Sequence, residues 1–164
     1  MKEVFFERVF EYKKKSKVKA GDGLKLNEGT YPFFTSSNTL SKSVDEFLFE
    51  KPSLIFGTGG MPSVHYCEKK FSVSTDCLVA QPRSDQSLHI PYFYYFFVMN
   101  DMRILQDGFK GAGLKHISRK YIDKIRIPFP PLKTQQRIAS ILDEAAALRD
   151  KTAQLLIEYD LLAQ

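Results

Sequence analysis

Between Ile138 and Leu162, apolar or small residues recur at alternating gaps of three and four: Ile138, Ile141, Ala145, Leu148, Thr152, Leu155, Tyr159 and Leu162. That spacing draws a heptad seam along one C-terminal helix. A single helix cannot bury such a stripe against itself, so the tail must pack along another helix, from its own body or from a second copy of the chain. The heptad spacing and an acidic flank point to packing between molecules. Thr134 stands where an N-cap is expected, shortly after the Pro-Phe-Pro-Pro-Leu stop at residues 128–132, although Arg137 replaces the Glu that would complete a capping box. Residues 134–164 would extend ~46 Å at ~1.5 Å per residue. The division expected is therefore a body, residues 1–133, that carries the specific function, and a helix, residues 134–164, that serves assembly.

Charge follows the same division. The chain has 164 residues, enough for one domain with a real core but not for a second full domain, and a formal net charge of +5. Residues 134–164 hold three basic side chains (Arg137, Arg149, Lys151) and five acidic ones (Asp143, Glu144, Asp150, Glu158, Asp160), a balance of −2 that leaves +7 on the body. A basic body with an acidic handle suggests a polyanion for the first and a protein for the second. Cys67 and Cys77 form no CxxC pair, and Met1-Lys2-Glu3 leads into a helical pattern rather than a secretory leader, so a reduced, cytoplasmic chain is expected. The longest apolar run, Ile90 to Met99, is half of what a bilayer requires and excludes a membrane-spanning reading.

Phe5, Phe6, Val9 and Phe10 recur at helical spacing and predict an amphipathic helix from residue 2 to about 15, ended by Lys13-Lys14-Lys15-Ser16-Lys17-Val18-Lys19. Dense punctuation then separates short apolar runs. Tyr31 to Phe34, Ser53 to Phe56, Ser63 to Tyr66, Phe71 to Ser74 and Cys77 to Gln81 read as strands. A helix from Pro91 to Arg103 follows, Ser118 is placed to cap a short turn through Ile122, and Ile125 to Phe129 reads as a last strand closed by Pro130 and Pro131. The fold class expected is α+β: a body built on mixed, twisted sheet, followed by one long coiled-coil helix.

Several stretches together resemble the specificity subunits of type I restriction-modification enzymes. YPFFTSSN at residues 31–38 is similar to the strand and polar turn early in that family's target recognition domain, LIFGTGG at 54–60 to its strand and glycine turn, and FSVSTDCLVAQP at 71–82 to its next hairpin. GFKGAGLKHISRKYIDKIRIPFPPLKTQQRIASILDE at 108–144 is the most specific match, with a glycine-rich basic loop, a short helix, a strand ending in prolines and a Gln-Gln-Arg-Ile-Ala helix start in the family's order. The chain departs at Lys133-Thr134, where the family more often has an acidic residue. It departs further in length, since family members usually hold two recognition domains and two long helices. It therefore resembles either a half-length subunit or one module of a longer one. The resemblance implies a non-catalytic chain that binds double-stranded DNA and directs partner methyltransferase (modification) and restriction subunits, which themselves hold the methyl donor, ATP and magnesium. It implies no cofactor of its own. For a half-length form it implies a homodimer and a symmetric, bipartite target, with half-sites that recur every ~34 Å along a duplex.

Direct readout needs short donors and acceptors at base edges, with cations to hold phosphates. Thr35, Ser36, Ser37 and Asn38 supply hydroxyls and an amide on one turn, although the same residues stabilise turns by themselves. Thr58, Gly59 and Gly60 allow close approach of backbone. In the loop from Lys110 to His116, Gly111 and Gly113 do the same, while Lys110, Lys115, His116 and Arg119 add donors. The seam residues Ile138, Ile141, Ala145, Leu148, Leu155, Tyr159 and Leu162 are the expected partner face.

Catalytic patterns are weaker. Phe129-Pro130-Pro131-Leu132 has an apolar residue where an amino-methyltransferase motif places a polar one, and Gly57-Thr58-Gly59-Gly60 lacks the Lys-Ser/Thr of a phosphate loop. The competing function is a small metal-dependent nuclease using Asp45, Glu68 and Lys70. His65, Cys67 and Cys77 could be drawn as zinc ligands, but a fourth is missing and the spacing fits no standard site.

Overall fold

The computed structural model describes residues 2–84, 86–99 and 102–162. Its centre is β6 (Ser53–Gly57), every residue of which is buried. Alternation along this strand sorts two cores. Leu54 and Phe56 face one side and Ile55 the other, as a period of two requires. β6 lies between β7 (Ser63–Cys67) and β9 (Cys77–Pro82), and β9 pairs in turn with β2 (Phe10–Tyr12), giving an antiparallel four-stranded sheet in the order β2-β9-β6-β7.

On one side of this sheet, α2 (Ile90–Val98) closes an aromatic core. Phe56 meets Phe97 edge to face with ring centroids 5.2 Å apart, Phe6 meets Phe56 at 5.6 Å, and Phe10 meets Phe93 at 5.3 Å. On the other side Ile55, Cys77 and Val79 pack against Phe34, Phe71 and Val73. Phe34 and Val73 belong to a second sheet, ordered β3-β5-β4-β8, from β3 (Leu24–Lys25), β4 (Tyr31–Phe34), β5 (Lys42–Val44) and β8 (Ser72–Val73), in which β4 and β8 run parallel, while Phe71 just before β8 bridges to Phe49. Two short pairings complete the body: β1 (Glu3–Phe5) with β12 (Arg126–Pro128), and β10 (Phe109–Lys110) with β11 (His116–Ile117).

The expected strands at 31–34, 53–56, 63–66, 77–81 and 125–129 are present with small changes of boundary, and Phe71–Ser74 shortens to β8. The amphipathic helix expected from residue 2 to about 15 is not formed. Only α1 (Phe6–Val9) is helical, between β1 and β2. One short helix has little stability of its own, and here β1 and β2 gain ladder partners in β12 and β9 while Phe6, Val9 and Phe10 still reach the core. The helix expected from Pro91 to Arg103 ends at Val98. A new turn, α3 (Arg103–Gln106), starts after Met102, whose φ of 55° is left-handed and cannot continue a helix. Positions 100 and 101 of that helix, and 163 and 164 of the tail, lie outside the described residues. Ser118 does cap α4 (Arg119–Asp123): its hydroxyl accepts from the Tyr121 N–H at 3.2 Å.

The long helix, α5 (Leu132–Leu162), begins two residues before the expected cap. The Pro131 carbonyl accepts from the N–H groups of Thr134 and Gln135, so Thr134 lies inside the first turn. Proline is tolerated there because the first N–H groups of a helix have no partner within it. Gln135, buried, fastens this end: its Nε2 donates to the Pro130 carbonyl at 2.9 Å and its Oε1 accepts from the His89 N–H at the start of α2 at 3.0 Å. Ala139 lies against α2 with Ile138 beside it, and Tyr95 donates to Asp143 at 2.5 Å. From Ala147 to Leu162 the helix is exposed throughout.

Candidate nucleic-acid interface

The polar turns singled out in the sequence meet at one carbonyl. Asp76 precedes β9, and its oxygen accepts from the Thr58 N–H at 2.8 Å, the Thr58 hydroxyl at 3.0 Å and the Ser36 hydroxyl at 2.9 Å. The loop after β4 and the turn after β6 are thereby joined. Gly57 makes the junction possible, because a Cβ there would sit 2.8 Å from Ser36 Cα and 2.1 Å from Ser63 Oγ. His65 of β7 supports the same loop. Its Nε2 lies 2.7 Å from the Ser37 carbonyl, which can only accept, so this nitrogen carries the proton. Burial holds the His65 pKa below the ordinary histidine value, so the ring is neutral near pH 7.

The third segment is bound to the second. The Ile117 N–H donates to the Thr58 carbonyl and the Gly60 N–H to the Lys115 carbonyl, both at 3.0 Å, around an antiparallel bridge between Gly59 and His116. The His116 ring covers Gly59 closely enough that a Cβ there would be 3.2 Å away, and Gly60 takes a left-handed φ of 82° that a side chain would strain. Gly111, at φ 146°, turns the hairpin between β10 and β11. Three stretches separated by about twenty and fifty residues thus become one surface.

The individual side chains differ in what they can still offer. Ser37, Asn38, Lys110, Lys115 and His116 are exposed, as are Gly111 and Gly113. Ser36 and Thr58 spend their hydroxyl protons on Asp76 and keep only acceptor capacity outward. Thr35 is half-buried, and its hydroxyl accepts weakly from Ser37 N–H at 3.4 Å. Arg119 lies over the Tyr12 ring, 4.5 Å from its centroid, and 3.6 Å from Asp123, so its guanidinium is held on the body rather than projecting freely.

One cationic element was read wrongly from the sequence. The Lys13–Lys19 run is not a helix end but an extended segment alongside β9: the Lys13 N–H donates to the Val79 carbonyl at 2.9 Å, and the Thr75 N–H donates to the Val18 carbonyl at 2.8 Å. That second bond brings Val18 to the residue next to Asp76. Ser16 turns inward, while Lys15, Lys17 and Lys19 face solvent. The alternation Lys-Ser-Lys-Val-Lys carried this period of two openly.

The residues of the nuclease reading are engaged separately. Lys70 Nζ lies 4.3 Å from the centre of the Phe47 ring, and Asp45 accepts from Thr30 at 3.5 Å. Among the described residues no three His, Cys, Asp or Glu side chains approach closely enough to hold a metal ion. Cys77 is buried, its Sγ 3.7 Å from the Phe34 carbonyl, and burial pushes its thiol pKa up to about 11. Cys67 is half-buried in β7 and likewise raised by burial. No helix among the described residues is long and apolar enough to cross a membrane.

The mixed-sheet body thus gathers its polar turns together, and a long helix leaves it. Residues 1–158 match the type I restriction modification DNA specificity domain, and the chain belongs to that family. It is 24% identical over 126 residues to the type I restriction enzyme MjaVIII specificity subunit of Methanocaldococcus jannaschii, covering 71% of this chain and 29% of that protein. A putative type I specificity subunit of Mycoplasma pneumoniae is 24% identical over 160 residues, 92% of this chain and 43% of the relative. The chain therefore spans less than half the length of these relatives. In fold it is similar to the S subunit of a type I restriction-modification system from M. genitalium, with a TM-score of 0.74 at 20% identity over 94% of this chain and 41% of that one. A chain from a study of assembly and conformational transition in the type I R-M system gives 0.68 at 18% identity, over 98% and 43%.

Proposed function

We propose that the body, residues 1–133, binds double-stranded DNA through this surface and reads its sequence, and that the helix from residue 134 joins it to other subunits. The observation that carries the reading is the binding of three distant polar segments to one another around the Asp76 carbonyl and the Gly59–His116 bridge. Such bonds preorganise Ser37, Asn38, Lys110, Lys115 and His116 on one face, with Lys15, Lys17 and Lys19 running up to it. Short polar side chains on the turns suit base edges, and the lysines suit phosphates.

In this reading the chain performs no chemistry. It selects the sequence on which methyltransferase and restriction subunits act, in the cytoplasm where those partners and the DNA are found. Ile141, Ala145, Leu148, Leu155, Tyr159 and Leu162 remain exposed on α5 and form the face on which a second copy or a partner subunit packs, with Ile138 at its inner end. Antiparallel pairing of two such helices would hold two bodies at opposite ends of a rod and suit a bipartite target.

The test is competition among duplexes at graded salt. Duplexes of different sequence should compete unequally, and log affinity should fall against log salt with a slope of about −4 to −5 for about five phosphate contacts. Equal competition by all sequences removes the reading function. Cleavage of plasmid in magnesium by the chain alone would restore the nuclease.

A further inference from the structure

Away from α5, three large apolar side chains among the described residues stand out by exposure: Leu114 at 69%, Met61 at 67% and Met99 at 63%. Leu114 and Met61 lie on two segments that are hydrogen-bonded to each other. Leu114 lies in the turn of the β10–β11 hairpin, and Met61 lies in the turn between β6 and β7. The Gly60 N–H donates to the Lys115 carbonyl beside the Gly59–His116 bridge, and Met61 and Leu114 are the chain neighbours of that bonded pair. Met61 also lines a cleft of about 320 Å³ with Asn38, Pro62, Val98, Met102 and Gln106, and Met99 follows Val98.

Exposure at this level leaves unrealised the gain that covering these side chains would bring. What would cover them follows from the rim. Lys110, Lys115 and His116 flank Leu114 on the same hairpin, which favours a polyanion over an apolar protein surface. On the major-groove edge of a base pair only thymine offers an apolar group, its 5-methyl, and its partner adenine presents the donor and acceptor that an asparagine amide matches.

We propose that Met61 and Leu114 form an apolar reading head that covers a thymine methyl, with Asn38 beside it for the paired adenine. The inference rests on the DNA-reading function proposed above and names what the surface reads. Duplexes are first enriched from a random pool by the wild-type chain, then resynthesised with deoxyuridine in place of thymine at one position at a time. At one or two positions, loss of the methyl should weaken wild-type binding about fourfold. The M61A/L114A double variant should bind the thymine and deoxyuridine forms equally, with melting temperature and salt slope unchanged because both side chains are on the surface. At the paired position 7-deazaadenine should weaken the wild type and leave N38A indifferent. If no position responds in the wild type, or if the response persists in the double variant, the reading head is wrong. Weaker binding by the double variant without any dependence on the methyl also overturns it, in favour of a wedge between base steps. A wild-type chain that enriches no sequence at all overturns the reading function itself.

Discussion

The two halves of α5 belong to one continuous helix, yet residues 132–146 pack one face against the rest of the chain whereas residues 147–162 are exposed. The inner half puts Gln135 and Ala139 into the core and bonds Asp143 to Tyr95, whereas the outer half leaves Leu148, Leu155, Leu156, Ile157, Tyr159, Leu161 and Leu162 in solvent. The face turned to the body follows Leu132, Gln135, Ile138, Ala139, Leu142 and Ala146, each buried or half-buried. The heptad seam follows Ile141, Ala145 and Leu148, all exposed. One helix thus carries two stripes, and only the first finds its partner within the chain. Packing of the tail against its own body and packing against another molecule are then not alternatives, since each half can do one.

The comparison breaks most visibly at Gln135. Gln135→Ala leaves the His89 N–H and the Pro130 carbonyl without a bond in a buried site, and should destabilise the chain by about 2–4 kcal/mol in denaturant unfolding. A loss below about 0.5 kcal/mol would show that the inner half is not part of the folded unit. The same change made on each half gives the next effect. Ala139→Leu overfills the contact with α2 and should cost about 1–3 kcal/mol, while Ala147→Leu enlarges an exposed side chain and should stay within about 0.5 kcal/mol. Equal effects would erase the distinction between the halves.

A smaller effect concerns His65, which supports the loop of residues 35–38. The folded chain holds the His65 pKa below the unfolded value of about 6.5, so the unfolded state binds the proton first. Stability attached to neutral His65 is therefore complete above that pH, and is lost as pH falls from about 6.5 toward the folded value. Thermal melting between pH 8 and pH 5 should show this decline, and His65→Gln, which keeps a side-chain N–H for the Ser37 carbonyl, should flatten it. A decline of the same size in the variant would assign the effect to other groups.

Much of the fold was legible where a strand is bounded by its own punctuation. β4, β6, β7 and β9 run between Gly, Pro or charged residues, and Ser118 caps where a short polar side chain before a turn should. What was not legible depended on distant partners. Phe5, Phe6, Val9 and Phe10 satisfy a helical period, but β9 and β12 supply strand partners that local spacing does not reveal. The same holds for β3 and β5, whose short polar stretches have no period to read. For the site, the turns at 35–38 and 58–60 and the 110–116 loop stood out by residue type, but nothing in their spacing predicted that the Asp76 carbonyl would join the first two or that Gly59 would bridge to His116. The Lys13–Lys19 run reads as a helix end because the helical spacing before it is local, whereas the strand-like bonds of Lys13 and Val18 to Val79 and Thr75 depend on a distant segment. In α5 the apolar stripe was visible, while the choice of stripe for the body was not: Ala139 and Gln135 are unremarkable until α2 is placed against them.

The central claim is that a preorganised face of the body, and not the helix, meets the duplex. Hydrogen–deuterium exchange of the chain with and without an excess of enriched duplex tests it directly. Slowed exchange at residues 35–38, 58–60 and 110–117, with the outer half of α5 unchanged, is the expected result. Slowing confined to α5, or a body that exchanges identically with and without DNA, would contradict it.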